Sequence, residues 1–291
     1  MNLNNRATEH SVALETTLLV HGVPSQSAKP LADELAQIVR SHNANPALVG
    51  VVDGVPTVGM TNEELDSMLV QDYVLKANTA NIGIAIHNRA HAATTVSTTM
   101  ELAAAAGVQV FATGGIGGVH KGFGKHLDIS SDLAAFTRFP VAVVTSGVKS
   151  ILDVESTREA LESLGIMVVG YQTDSFPAFY LRESQAQVDV RIDDPDELAA
   201  LISSEMSRTG RGIVVANPIP AADELDHTQW ESWLQEANEY ARNSGATGRG
   251  MTPAVLGRLH EVSEGKTLTA NLALVRSNTK LASQLATKMG S

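Results

Sequence analysis

Short, wholly apolar runs recur along this chain, and stretches with helical spacing separate them. VQVFAT (108–113), PVAVVTSG (140–147), IMVVGY (166–171) and GIVVANPIP (212–220) carry almost no polar alternation. Between them, TTVSTTMELAAAAG (94–107), SSDLAAFTRF (130–139) and KSILDVESTREALESLG (149–165) have helical spacing. Apolar strands alternating with helices predict an α/β fold: a mostly parallel or mixed sheet flanked by helices on both faces. Upstream, VALETTLLVHG (12–22) reads as a strand and SAKPLADELAQIVRSHN (27–43) as a helix. ALVGVVDGVPTVG (47–59) reads as a hairpin turning at Asp53-Gly54. VDVRID (188–193) is a strand, and the helix over 194–210 opens with Asp-Pro and closes with Gly. Two or three helices complete the chain. No repeat or long linker divides it, so the expectation is one unit over 1–291, with two subdomains as an open alternative.

Composition narrows the chemistry. The 291 residues include no Cys, which excludes disulfides, thiolate nucleophiles, Cys-ligated zinc and iron–sulfur clusters. Aromatics are only 4%, so Ala, Val, Leu and Ile must fill the core. The net charge of −11 argues against binding a nucleic-acid polymer, which needs basic patches. No apolar stretch approaches the roughly 20 residues of a membrane span. The opening MNLNNRATEHSV shows no basic segment followed by an apolar run, so a cytoplasmic protein is expected.

Four features could carry a site. GGIGGVHKG (114–122) follows a strand and could leave backbone N–H groups free for an anion. It fits neither common nucleotide pattern: His120 replaces the third Gly of GxGxxG, and Val119 and His126 break the P-loop. The plain alternative is a tight strand-to-helix connection. Lys149 follows the strand 140–147 and is expected to open a helix, where the dipole favours a neutral, nucleophilic amine. Asp128 lies at the neighbouring strand end, on the rim where α/β proteins gather ligands; a solvated surface lysine and a loop acid are the plain alternative for this pair, and on the residues alone it is favoured. Glu15 sits inside an apolar run, where burial would raise its pKa and suit a general acid; an outward-facing strand position is the alternative. The nine His show no metal-binding spacing, although a hard cation held by Asp128 and waters is compatible.

Several strings together become specific: ALETTLLVHGVP, ATTVSTTM, VFATGGIGGVHKG, DISSDL, SGVKSILD, GYQTDSFPAFY, VVANPIP and TANLALV. In this order they resemble the pseudouridine-5′-phosphate glycosidase family, also called indigoidine synthase A-like, from about Ala13 to Leu274. The resemblance implies an enzyme that reversibly cleaves the C–C glycosidic bond of pseudouridine 5′-phosphate, giving uracil and ribose 5-phosphate. It implies a divalent metal, commonly manganese, and a homotrimer. By motif, Lys149 matches the covalent nucleophile, Glu15 the proton donor and Asp128 the metal ligand. Ser130, Ser131, Asp132, Val96 and Lys76 match substrate contacts, and Asn271 a late active-site residue. One segment departs: where the family reads close to VSRRDL after the lysine, this chain has ANTANI after Lys76. Two arginines and an acid are gone, which bears on how a phosphate is held. Two other readings stand beside this one: a different Schiff-base lyase acting on sugar phosphates, and a non-catalytic nucleoside-binding homologue.

Overall fold

Backbone hydrogen bonding joins the apolar runs into one mixed sheet that crosses most of the chain. The computed structural model describes residues 2–122, 124, 127–244 and 251–289. In chain order the strands are β1 (Asn4–Asn5), β2 (Ser11–Glu15), β3 (Asn45–Val52), β4 (Val55–Val58), β5 (Leu75–Ala77), β6 (Ala92–Thr94) and β7 (Val110–Ala112). Then come β8 (Val119–His120), β9 (Ala142–Thr145), β10 (Leu152–Asp153), β11 (Val168–Tyr171), β12 (Val190–Ile192) and β13 (Ile213–Ala216). The helices are α1 (Thr16–His21), α2 (Ser25–Ser41), α3 (Asn62–Leu69), α4 (Ile82–His87), α5 (Val96–Ala105) and α6 (Ser131–Phe136). They continue with α7 (Val154–Ser163), α8 (Pro195–Thr209), α9 (His227–Asn243), α10 (Met251–Val262) and α11 (Lys266–Met289).

The strand order is β1-β4-β3-β2-β7-β9-β13-β11-β12, with β6 on β3 and β5 on β6. From β3 to β12 every neighbour along this order is parallel, while β4 and β6 run antiparallel to β3. The expected α/β class is therefore observed, in its mixed-sheet form. Successive side chains of a strand face opposite sides. Val12 and Leu14 of β2 join a core with α2, α8 and α11, while Ala13 joins the opposite core with α5, α6 and α7. Both faces are covered, which is why the parallel strands show no polar alternation.

Local chemistry sets the boundaries. The hairpin turns at Asp53 and Gly54, both at positive φ (48° and 76°), as its DG pair predicts. α8 opens on Asp194, whose Oδ1 accepts from the amides of Asp196 and Glu197, and closes on left-handed Gly210. Two expectations fail. The strand expected over 12–22 ends at Glu15 and the chain continues as α1, burying Leu19. The helix expected over 149–165 spans only Val154–Ser163, because Asp153 caps it by accepting from the Ser156 amide at 2.9 Å. Of the last predicted helix, Gly290 lies outside the described residues, as do Lys125 and His126 of the P-loop comparison. No described helix is long and apolar enough to cross a membrane.

Candidate active site

Because β2, β7, β9, β13 and β11 are parallel, their carboxyl ends lie along one rim. Glu15 is the last residue of β2. It is only 7% exposed, and its Oε1 accepts from Thr113 Oγ1 at 2.5 Å, just past β7. Burial pushes the Glu15 pKa up, and Asp132 adds to this; Lys149, the Thr113 hydroxyl and Lys76 pull it back down. Lys76 has a lowered pKa, first because its amine is desolvated and then because Lys149 faces it. Glu15, Lys76, Asp132 and Lys149 thus lie within electrostatic reach of one another, although they are far apart in sequence.

Lys149 is half-buried and does not open a helix, contrary to expectation. It sits in the extended segment after β9, held by its own N–H to Ile116 O at 3.1 Å and by its carbonyl, which accepts from Leu152 N at 2.9 Å. Helix-dipole activation of this amine is therefore ruled out by the α7 boundary. Its amine instead lies within electrostatic reach of Glu15 and of a second lysine, Lys76. Lys76 lies on β5, and its carbonyl accepts from Asn81 Nδ2 at 3.2 Å. Asn78 N in turn donates to Asn81 Oδ1 at 2.7 Å, so the ANTANI segment folds into a turn closed by its own amides.

Asp132 is buried and fully engaged: Oδ1 accepts from Ser97 N at 2.9 Å and Oδ2 from Gly117 N at 2.8 Å. It ties the start of α5 to the Gly-rich loop. Ser130 caps α6 by accepting from Asp132 N at 3.2 Å, and Ser131 Oγ lies 3.0 Å from Ser97 Oγ. The expectation of open loop amides fails at two positions, Ile116 and Gly117. Ile116 N donates to Gly147 O at 3.0 Å and Gly117 N to Asp132. A Cβ at Gly115, Gly117 or Gly118 would strike Phe179, Ser130 or Thr157 respectively, so these glycines are required by close packing.

Val96 is wholly buried in the core, so contact with a ligand would run through its backbone at the start of α5. Asn271 on α11 lies beside Gly114, with its Oδ1 buried and without a hydrogen-bond partner. Sequence reasoning missed Asn278, about two turns further along α11. It is completely buried, and its Nδ2 donates to Thr113 O at 2.8 Å and to Ser146 Oγ at 3.1 Å. Its Oδ1 accepts from Asn217 Nδ2 at 2.9 Å. One amide thereby fixes the ends of β7, β9 and β13. Its neighbours Arg276, Ser277, Thr279 and Lys280 are polar, so no local pattern marks Asn278 as buried. His21 was missed as well: its imidazole bonds Val74 backbone, and burial with nearby Lys76 lowers its pKa.

Asp128 lies on an exposed segment two residues before Ser130. Its side chain is 64% exposed, with Oδ2 3.7 Å from His120 Nδ1, and its carbonyl accepts from His120 N at 3.0 Å. Among the described residues no group of three His, Asp or Glu converges on a point. An exposed hard carboxylate without fellow ligands fits a divalent cation that keeps most of its water.

A model of the indigoidine synthase A like proteins matches residues 4–288. The chain belongs to this family. Within it, the chain is 45% identical to a pseudouridine-5′-phosphate glycosidase of Methylobacterium nodulans, over 94% of this chain and 82% of the relative. A protein of the same name from Kosmotoga olearia is 42% identical, over 94% and 95% respectively. Among solved structures, an indigoidine synthase A-like protein of Thermotoga maritima superposes with a TM-score of 0.90 at 37% identity, covering 99% of this chain and 97% of that one. The prealnumycin C-glycosynthase AlnA, in complex with ribulose 5-phosphate, gives 0.88 at 33% identity, covering 96% and 91%. The indigoidine synthase A like fold thus extends over nearly the whole chain.

Proposed function

We propose that this protein cleaves the C–C glycosidic bond of pseudouridine 5′-phosphate to uracil and ribose 5-phosphate, reversibly, through a covalent Lys149–sugar intermediate. The observation that carries the reading is the buried Glu15, its pKa raised, within electrostatic reach of Lys149 on one rim. The names of the relatives support the substrate, and a C-glycosynthase with a bound pentose phosphate supports the bond type. A carbon leaving group gains nothing from protonation of a ring nitrogen, so the two carboxylates of ordinary glycosidases do not suffice. The uncharged Lys149 amine attacks C1′ while Glu15 delivers its proton to the ring oxygen, and the ribose opens. The nitrogen lone pair then expels uracil as C5 takes a proton, leaving an iminium. Water adds to the iminium, Lys149 departs, and ribose 5-phosphate is released.

Desolvation pushes the Glu15 pKa up, the direction that favours a proton donor. Lys76, within electrostatic reach of Lys149, Glu15 and Asp132, would meet the substrate's anionic groups, and Ser130, Ser131, Asp132, Val96 and Asn271 would contact the substrate as the family resemblance implies. Asp128 would hold the divalent cation, manganese in this reading, which supplies positive charge against the negative charge developing on uracil. Homotrimeric assembly and a cytoplasmic location belong to the same reading and are supported by the family resemblance. The test is uracil release from pseudouridine 5′-phosphate with and without manganese, combined with borohydride trapping of ribose 5-phosphate and peptide mass mapping. The expected result is uracil release, a pentose adduct on Lys149, and loss of both in Lys149→Ala. Trapping of a ketose alone, with no uracil released, would favour the sugar-phosphate lyase. Stabilisation by substrate without turnover would favour the binding homologue.

A further inference from the structure

The carboxyl rim continues past the site described above. Between the ends of β11 and β13 and the middle of α11 lies a separate cavity of about 340 Å³. Its walls include Arg182, Lys280, Asn217, Gln172 and Gln284, and no Asp or Glu lines it. Two cations without a facing carboxylate are unusual in a chain of net charge −11. Arg182 is fixed in place: Nη1 donates to Ile219 O, and its backbone N donates to Glu224 Oε1 at 2.8 Å. Gln172 is held at a left-handed φ of 56°, a conformation that a side chain of this kind rarely adopts.

We propose that this cavity is a second binding site, for the phosphate group of a small metabolite. A guanidinium fork, a point-charge ammonium and neutral amides form a donor set suited to a tetrahedral oxyanion. The site stands independently of the proposed reaction. It also touches the catalytic loops. Asn217 lines the cavity and donates to Asn278, Asn278 donates to Thr113 O, and Thr113 donates to Glu15.

Because the chain has no Cys, Gln284→Cys gives a single attachment point for an environment-sensitive fluorophore at the cavity wall. Labelled protein is titrated with inorganic phosphate, methyl phosphate and acetate. The expected result is a saturable response to both phosphates, with acetate weaker. Adding Lys280→Ala should raise the half-saturating concentration on the order of tenfold, the loss of one charged hydrogen bond. Lys280→Arg should restore it, and Lys76→Ala should leave it within about twofold. No saturable response, an unchanged response in Lys280→Ala, equal binding of acetate, or loss in Lys76→Ala would each overturn the proposal.

Discussion

Glu15 and Asp128 are both carboxylates assigned to one reaction, and their surroundings are opposite. Glu15 closes a central parallel strand, is 7% exposed, and shares its space with Lys149, Lys76, Asp132 and the Thr113 hydroxyl. Asp128 follows a surface loop, has a side chain 64% exposed, and pairs with His120. The difference teaches that burial assigns the role. Desolvation pushes an acid toward its protonated form, as a donor needs, whereas an exposed carboxylate is open to a cation that keeps its water.

Three measurements would break or sharpen this contrast. The largest effect is expected from Glu15→Gln, which keeps an acceptor for Thr113 and loses the proton: the uracil-release rate should fall by roughly 10²–10⁴. A near-normal rate would remove Glu15 from proton transfer. Asp128→Asn should leave the thermal midpoint in place and raise the manganese concentration giving half-maximal activity at least ~10-fold. Identical manganese curves for variant and parent would dissociate Asp128 from the metal. The smallest effect concerns the bond that tempers Glu15. The Thr113 hydroxyl favours the carboxylate, so Thr113→Val should raise the Glu15 pKa further. Activity that needs protonated Glu15 should then persist to higher pH, with the alkaline limb of kcat/KM moving upward. Thr113→Ser should restore the parent profile. A downward movement would contradict the hydrogen bond's role.

Much of the fold was legible because its signals are local. Apolar runs marked β7, β9, β11 and β13; Asp-Pro and Gly marked the ends of α8; Asp53-Gly54 marked the hairpin. Boundaries next to the site were not. Thr16 to His21 has the residues of a strand, and it turns helical because parallel β2 ends where its neighbour β7 ends. Lys149 looked like a helix start because Ser-Ile-Leu-Asp-Val continues a helical pattern, but the Asp153 cap takes that position. The segment from 60 to 90, with α3, β5 and α4, left no periodic trace that sequence reasoning used.

The sequence by itself determined the fold class, the absence of thiol chemistry and the family, because composition, periodicity and ordered motifs are written in one dimension. Only the tertiary structure decided which charges share a low-dielectric space. Glu15, Lys76, Asp132 and Lys149 are separated by dozens of residues, and their coupling exists only once the strand ends meet. The same holds for the glycines of 114–118 and for Asn278: one is small and the other polar for reasons set by neighbours far along the chain. Electrostatic coupling and steric fit depend on distance through space, a quantity the linear order of residues does not contain.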